Sequence, residues 1–353
     1  MITPEDLADF IRYDEPVLEA DLSGCDLSGM KIAKGNFVEC NFTGANLTGA
    51  DLSGSVFSEC ILGSVILDNT NLDDAVFVKS ALSRTKLAGA HLDSVSFLET
   101  DLAAGDLSGA SLIGCQFLKT DLSDLDFNGA AFQKCAFVDC PSAQVNLNDA
   151  LLDTVSFVDI DLSKAAFEKV ICQSVMFLRC NLTGIDFSDT PVMQCTFMES
   201  DMNGCRFERA DLSGSLLVGS ELAGSSFAGA IAEMTLFCNA NLKEAVFSGA
   251  RLEMANFSGS DLRMANLSAS SCEKAQFDKA DCRGTEFAGS DLRLANLANC
   301  NLEGANLSRA ALNLADFHNA SLTSALTDGA HGSVRQTDQQ RLICEIYDPR
   351  AIG

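Results

Sequence analysis

This 353-residue chain contains three histidines, His91, His318 and His331, and they share no register. It also has no glycine-rich phosphate loop and no nucleophile elbow. With no constellation of catalytic groups, the chain reads as non-enzymatic and without a cofactor. Cys-x-x-Cys is absent too, although there are 15 cysteines, so no zinc site is expected. Hydrophobic residues make up 47% of the chain, yet no run approaches the ~20 apolar residues of a membrane span. The segment Met1-Ile2-Thr3-Pro4-Glu5-Asp6 lacks the basic and apolar regions of an export signal. Abundant thiols without such a signal indicate a reducing compartment, and a cytoplasmic location is expected. Basic residues are scarce: 24 Lys+Arg stand against 49 Asp+Glu, a net charge of −25. That balance is wrong for direct contact with nucleic acid, whose backbone is itself anionic.

What the chain does have is a beat of five. From Val17 through Leu22, Leu27, Ile32, Phe37 and Phe42 to Phe317 and Leu322, nearly every fifth residue is large and apolar, with no insertion or deletion. Ser142 and Ala232 are the clear exceptions; Cys172, Cys272 and Cys282 are milder ones. Two places before each large residue stands a small one, such as Ala45, Ala50, Ser55, Cys60, Val65 or Thr70. Between the two comes a polar residue, often Asp or Asn. A period of five fits neither the 3.6 of a helix nor the 2.0 of a strand. It requires a chain that turns a corner at each unit, with the small and large residues inside. Such a repeat means a solenoid.

Phenylalanine gives the size of one coil. Phe37, Phe57, Phe77, Phe97, Phe117, Phe137, Phe157, Phe177 and Phe197 lie 20 apart, and Phe237, Phe257, Phe277 and Phe317 resume the column. A second register holds Phe127, Phe167, Phe187, Phe207, Phe227, Phe247 and Phe287. Four units per turn make a four-sided tube. At the ~4.8 Å spacing of paired strands, about 15 coils give a rod on the order of 75 Å long.

These units resemble those of the pentapeptide-repeat proteins, whose motif A(D/N)LXX is matched by Ala45-Asn46-Leu47-Thr48-Gly49, Ala50-Asp51-Leu52-Ser53-Gly54 and Ala305-Asn306-Leu307-Ser308-Arg309. The resemblance covers about residues 16–326. It implies an all-β fold, a right-handed quadrilateral parallel β-helix. The expected organisation is an N-terminal helical cap over 1–15, the β-helix over 16–326 and a C-terminal capping segment over 327–353. Thr3-Pro4-Glu5-Asp6 reads as a helix start, with Leu7, Phe10 and Ile11 on the covering face and Tyr13-Asp14-Glu15-Pro16 as the stop. A second short helix is expected from Thr337-Asp338-Gln339-Gln340, with Leu342, Ile343 and Ile346 apolar. Caps protect open strand edges; by the resemblance, the C-terminal segment alternatively pairs two rods end to end.

Ten cysteines occupy the small inward position, including Cys40, Cys60, Cys115 and Cys135, and behave there as small hydrophobes. Cys40 with Cys60, and Cys115 with Cys135, stack one coil apart, a spacing compatible with a disulfide; reduced core thiols are the expectation. At Pro141-Ser142, proline removes an amide donor and serine leaves a volume deficit or turns outward, so a local bulge or bend is expected.

What remains is surface. The residue after each Phe of the main column points outward and is mostly apolar: Val38, Val78, Leu98, Leu118, Val138, Val158, Leu178, Met198 and Val218. Charged residues flank it, among them Glu39, Glu59, Lys79, Glu99, Lys119, Asp139, Asp159, Arg179 and Glu199. A long apolar patch rimmed by charge marks an interface, whereas strand propensity alone also favours Val and Leu there. An acidic column runs Asp101, Asp121, Asp161, Asp201, Glu221, interrupted by Pro141 and Asn181. It is read either as imitation of a DNA duplex or as the repeat's turn chemistry, with a gain in solubility. Lys243, Arg263 and Arg283 form a basic column, and Glu233, Glu253 and Glu273 an acidic one; like charges so stacked call for partners of opposite sign.

The leading reading is a protein–protein interaction module, a rod that binds a protein partner or itself, as a homodimer, along the apolar stripe. The resemblance supplies two alternatives. One is an acidic DNA mimic that occupies a DNA-binding protein such as a topoisomerase, as the quinolone-resistance members do, although the inserted loops of several of them are missing. The other is an accessory protein or effector of a bacterial secretion system.

Overall fold

The computed structural model describes residues 4–88 and 90–339. The chain divides into two compact units, Met1–Asp186 and Phe187–Gly353.

The first unit opens with one helix, α1 (Pro4–Arg12). Leu7 is fully buried, while Phe10 and Ile11 are half-buried. The helix stops where the sequence indicates. Tyr13 N donates to Asp9 O at 3.1 Å and Glu15 N to Phe10 O at 2.9 Å. Asp14 adopts φ 57°, the left-handed turn that ends helices. Thr3 lies outside the described residues.

From Val17 onward the unit is a parallel β-solenoid. Bridges recur on four registers five residues apart, as in Asp21↔Asn41, Asp26↔Asn46, Lys31↔Asp51 and Asn36↔Val56, and each steps by 20 residues. That is the four-sided coil of the repeat. One side is built from Val17–Leu18, Asn36–Val38, Val56–Ser58, Val76–Val78, Ser96–Leu98, Gln116–Leu118, Ala136–Val138, Ser156–Val158 and Met176–Leu178. Successive strands pair in register, Val17↔Phe37, Phe37↔Phe57, and so on to Phe157↔Phe177. A second side pairs His91–Asp93, Ser111–Ile113, Ala131–Gln133, Leu151–Asp153 and Ile171–Gln173. In this unit strands stack over about nine turns, against the 15 coils expected for the chain. In the second unit, beyond the short strands Val192–Met193 and Thr196–Met198, single bridges carry the same 20-residue step to Asp316↔Arg335. These two-residue contacts are too brief to count as strands, which is why the repeat count overstates the strand stack.

Inside, the Phe column is a ladder. Ring centroids are 4.9 Å apart for Phe37–Phe57, 5.0 Å for Phe97–Phe117 and 4.4 Å for Phe117–Phe137. In the second unit both registers stack: Phe237–Phe257 at 4.9 Å and Phe207–Phe227 at 5.0 Å, with Phe237 and Phe247 edge-on at 5.6 Å. Small inward Ser and Thr are buried with their hydroxyls donating across the coil, Thr70 Oγ1 to Leu47 O and Ser225 Oγ to Met202 O, each at 2.8 Å. A buried hydroxyl is tolerated only when so bonded.

The corner after each large residue takes a left-handed backbone, so Gly is frequent there, as at Gly44 and Gly49 with φ 66°. An Asp or Asn side chain closes the turn: Asp21 Oδ1 accepts from Ser23 N at 3.1 Å and Asn46 Oδ1 from Thr48 N at 3.1 Å.

At Pro141 the ladder is interrupted on one side only: proline has no amide to donate, while its carbonyl still accepts from Leu122 N at 2.7 Å. Bridges join Asp101↔Asp121 and Asp161↔Asn181, but none includes Pro141 among the described residues. Ser142 stays inward and buried, and its Oγ donates to Asp161 O at 2.7 Å. An open hollow of about 260 Å³ lies over Cys140, Pro141, Ser142 and Lys164.

Every described cysteine is a free thiol, and only Cys25 and Cys238 are partly exposed. Burial pushes the thiols of Cys140 and Cys180 up to about 11 and that of Cys272 up to about 12. Since the thiolate is the reactive form, aromatic-disulfide titration of native protein at pH 8 should label Cys25 first and Cys238, whose thiol burial also pushes up, more slowly. The other described thiols should react only after unfolding. Rapid labelling of Cys115 or Cys140 in the native state would contradict the buried assignment. The expected helix face Leu342, Ile343, Ile346, and most of the 327–353 capping segment, lie outside the described residues.

Candidate interaction surfaces

The strand pattern fixes which way each side chain points. In Gln116–Leu118 the central Phe117 is buried while Gln116 and Leu118 are exposed, and the same in-and-out order recurs on every coil of that side. In the first unit Val38, Val78, Leu98, Leu118, Val138, Val158 and Leu178 therefore all face outward in one column, extended at its start by Leu18. Leu18 is 59% exposed and Leu118 40%, and the others are half-buried because each is covered in part by its neighbour one coil away. Ser58 is the one polar residue in this run. The preceding outward positions add Val56, Val76 and Met176. Met198 and Val218 belong to the second unit, where Met198 is exposed and Val218 half-buried.

The charged rim occupies the left-handed corners, including Glu39, Glu99, Lys119, Asp139 and Asp159. Arg179 grips Asp159 with two bonds of 2.7 Å. That contact holds the Asp159 carboxyl below its usual range.

The acidic column is largely turn chemistry. In the first unit, Asp101 accepts from Ala103 N at 2.8 Å, Asp121 from Ser123 N at 2.9 Å, and Asp161 from Ser163 N at 3.0 Å and Ser163 Oγ at 2.6 Å. In the second, Asp201 accepts from Asn203 N at 3.1 Å, and Glu221 from Asn241 Nδ2 at 2.6 Å. The Ser163 hydroxyl draws the Asp161 carboxyl below 3.8, and Ser23 does the same for Asp21. A folded-state value below the unfolded one contributes stability above pH ~4 that is lost as pH falls. Asp161→Asn keeps an acceptor for Ser163 without the charge. The stability advantage of the parent over this variant should therefore be constant from pH 8 to about 5 and close below about 4. A difference that does not change with pH would count against the turn role.

The basic column of the second unit finds its counter-ions within the chain, and so do Glu233 and Glu273 of the acidic one. Arg263 binds Asp261 through Nε at 2.8 Å and approaches Asp281 at 3.8 Å, while Arg283 binds Asp281 at 2.6 Å. Arg251 pairs with Glu233, and Arg293 with Glu273 at 3.2 Å. Comparing residues only within a column hides these partners, which sit two places away in sequence or one coil away. The sequence reading also missed Leu151 and Ile171, paired in register and 46% and 45% exposed on the second strand side. Their signal was an apolar residue at the position that the motif gives to Asp or Asn.

Two family models match this chain. The pentapeptide repeat region model covers residues 110–187, 154–227 and 230–307, and the pentapeptide repeats model covers 20–58, 55–93 and 290–326. The chain belongs to the pentapeptide-repeat family. No curated protein matches it. Among solved structures, it is 17% identical to HetL, a pentapeptide repeat protein involved in heterocyst differentiation regulation from the cyanobacterium Nostoc, over 94% of each chain, with a TM-score of 0.18. It is 17% identical to full-length QnrB1, a plasmid-mediated fluoroquinolone resistance protein, over 71% of this chain and 98% of that one, TM-score 0.28. A thylakoid-lumen pentapeptide repeat protein of Arabidopsis thaliana is 32% identical over 37% of this chain and 79% of its own, TM-score 0.21. The repeat models, not these alignments, establish the family. No catalytic family is indicated, and family members are in general structural or interaction modules. Among the described residues no helix is long and apolar enough to cross a membrane.

Proposed function

We propose that this pentapeptide-repeat scaffold is a protein–protein interaction module whose first unit binds a partner, or a second copy, along the stripe Val38, Val78, Leu98, Leu118, Val138, Val158 and Leu178. The observation that carries this reading is the exposed apolar column on one side of the solenoid. The repeat accounts for every inward residue but does not ask for Val or Leu outside. On the register of the acidic column, from Asp101 to Glu221, the outward position before each inward residue is Asp, Asn or Glu except at Pro141. Contiguous exposed apolar area rimmed by charge is the usual mark of a contact surface. The Glu, Lys and Asp of the rim keep it soluble when free and set register when bound.

The stripe is favoured over the DNA-mimic reading because the turns already account for Asp101, Asp121 and Asp161 as bond acceptors. The two readings separate by salt: binding by an acidic mimic falls steeply as ionic strength rises, whereas an apolar interface persists. The test is light scattering and partner pull-down of the parent beside a variant carrying Leu118→Asp and Val138→Asp.

A further inference from the structure

Five corners of the second unit combine a left-handed backbone with a long apolar side chain in solvent. Met234, Met254, Met264, Leu294 and Leu314 have φ of 56°, 60°, 60°, 59° and 61°. They are 55%, 54%, 62%, 38% and 42% exposed. In the first unit, the described corners with positive φ carry Gly, charged or polar residues, and Ala104, never a larger apolar side chain. Nothing in the fold asks for Met or Leu here. A β-carbon at positive φ is sterically disfavoured, glycine avoids the strain, and an exposed side chain gains nothing from burial. The same unit uses glycine at equivalent corners, Gly204, Gly224 and Gly249, with φ 66–67°.

Four of the five stand in one column: Met234, Met254, Leu294 and Leu314 are spaced by multiples of 20, with Lys274 between. Beside them run Glu233, Glu253 and Glu273. Arg251 pairs with Glu233, and Arg293 and Lys274 with Glu273, each of the latter at 3.2 Å. Glu253 accepts from the Ser271 hydroxyl at 2.6 Å, and its Oε2 is buried without a partner among the described residues. The ridge is thus two apolar pairs, Met234 with Met254 and Leu294 with Leu314, on either side of Lys274.

Its geometry selects the partner. The corner amides are already used: Met234 N donates to Glu253 O, Met254 N to Glu273 O and Leu294 N to Asn313 O, each at 3.0 Å. No free backbone edge is offered, so an added strand has nothing to pair with and contact is through side chains. The coils rise about 5 Å, as the 4.9 Å and 5.0 Å ring spacings of Phe237–Phe257 and Phe257–Phe277 show. One face of an α-helix repeats every ~5.4 Å, close to that rise, whereas one face of a strand repeats every ~6.7 Å and drifts out of step. The four coil-to-coil steps from Met234 to Leu314, roughly 20 Å, match a helix of about 13 residues. Methionine adapts to varied apolar partners.

We propose that this ridge docks an amphipathic helix of a partner protein, its apolar face on Met234, Met254, Leu294 and Leu314. The surface lies in the second unit and does not draw on the first unit's stripe. The probe is a fluorescent 14-residue Leu/Lys peptide with leucines on one helical face, titrated by anisotropy against the full chain. Saturable binding is expected, at least ten-fold tighter than for the same residues scrambled. The variant Met234→Gly, Met254→Gly, Leu294→Gly, Leu314→Gly should weaken binding at least ten-fold while melting no lower than the parent, since glycine suits those corners. Leu118→Asp with Val138→Asp should not affect it. Equal binding of the scrambled peptide would reduce the effect to charge attraction and overturn the proposal. So would unchanged binding by the glycine variant, or a lower melting temperature for it, which would make the ridge structural.

Discussion

Truncating Phe117 to alanine should destabilise the first unit by about 3–5 kcal/mol, the usual loss for a fully buried ring. Phe117 is 1% exposed and sits between two parallel rings, Phe97 at 5.0 Å and Phe137 at 4.4 Å, with Phe127 edge-on at 6.4 Å. Its removal breaks a ladder in the middle, where two coil interfaces share the ring. Neighbouring coils cannot collapse into the gap, because each is held at the strand spacing by its own backbone bonds. In a unit of this size the loss corresponds to a melting shift of roughly 6–20 °C. Phe117→Leu should cost much less, since leucine fills the same inward position at Leu112 and Leu122, both buried. Thermal melts of the three proteins check this. A loss below about 1 kcal/mol for the alanine variant would mean that the ladder relaxes and that coil stacking does not depend on it.

The ladder was legible because a solenoid writes its cross-section into the chain at constant spacing. Stepping by five from Val17 separates inside from outside, and stepping by 20 from Phe37 finds the stacked partner. Even the exceptions fall in place: Cys172, Cys272, Cys282 and Ala232 are buried at the large position, and Ser142 stays inward by donating its hydroxyl to a carbonyl. The N-terminal helix was legible from its proline, acids and apolar spacing, and its left-handed end falls at Asp14.

Surface chemistry was less legible, for a physical reason. Partners on a solenoid lie one coil up and a few residues across, so Arg263 meets Asp261 and Asp281 rather than anything in its own column. A column-wise reading saw three stacked cations and asked for an external counter-ion that the chain already supplies. The fifth position looked free in sequence. In the fold it is a strained corner, and only there does the choice of Met234 or Leu294 become conspicuous. Strand extent was hidden too, because the same five-residue beat makes three-residue strands at Gln116–Leu118 and single bridges at Leu236↔Asn256.

The double substitution Leu118→Asp with Val138→Asp should abolish binding along the first-unit stripe while the solenoid still folds. Leu118 and Val138 are neighbours in register, 40% exposed and half-buried respectively, so neither is core. Folding still bears a cost. Aspartate is a poor strand former, by up to ~1 kcal/mol per site. Two carboxylates one coil apart, ~5 Å, repel by about 0.8 kcal/mol in water. A total of roughly 2–3 kcal/mol leaves the unit folded and stays below the loss expected for Phe117→Ala. Binding suffers far more, because a partner that covers the stripe must bury two uncompensated charges, at about 3–5 kcal/mol for each. That is at least 100-fold in affinity, which light scattering reads as loss of a dimer and pull-down as loss of a partner. Leu118→Thr with Val138→Thr separates the two effects: threonine keeps strand propensity but removes apolar contact, so it should melt like the parent and bind more weakly. If both variants bind as the parent does, the outward Val and Leu serve only the strands. If the threonine variant melts several degrees lower, these side chains belong to the packing of the sheet, and the interface must be sought elsewhere on the chain.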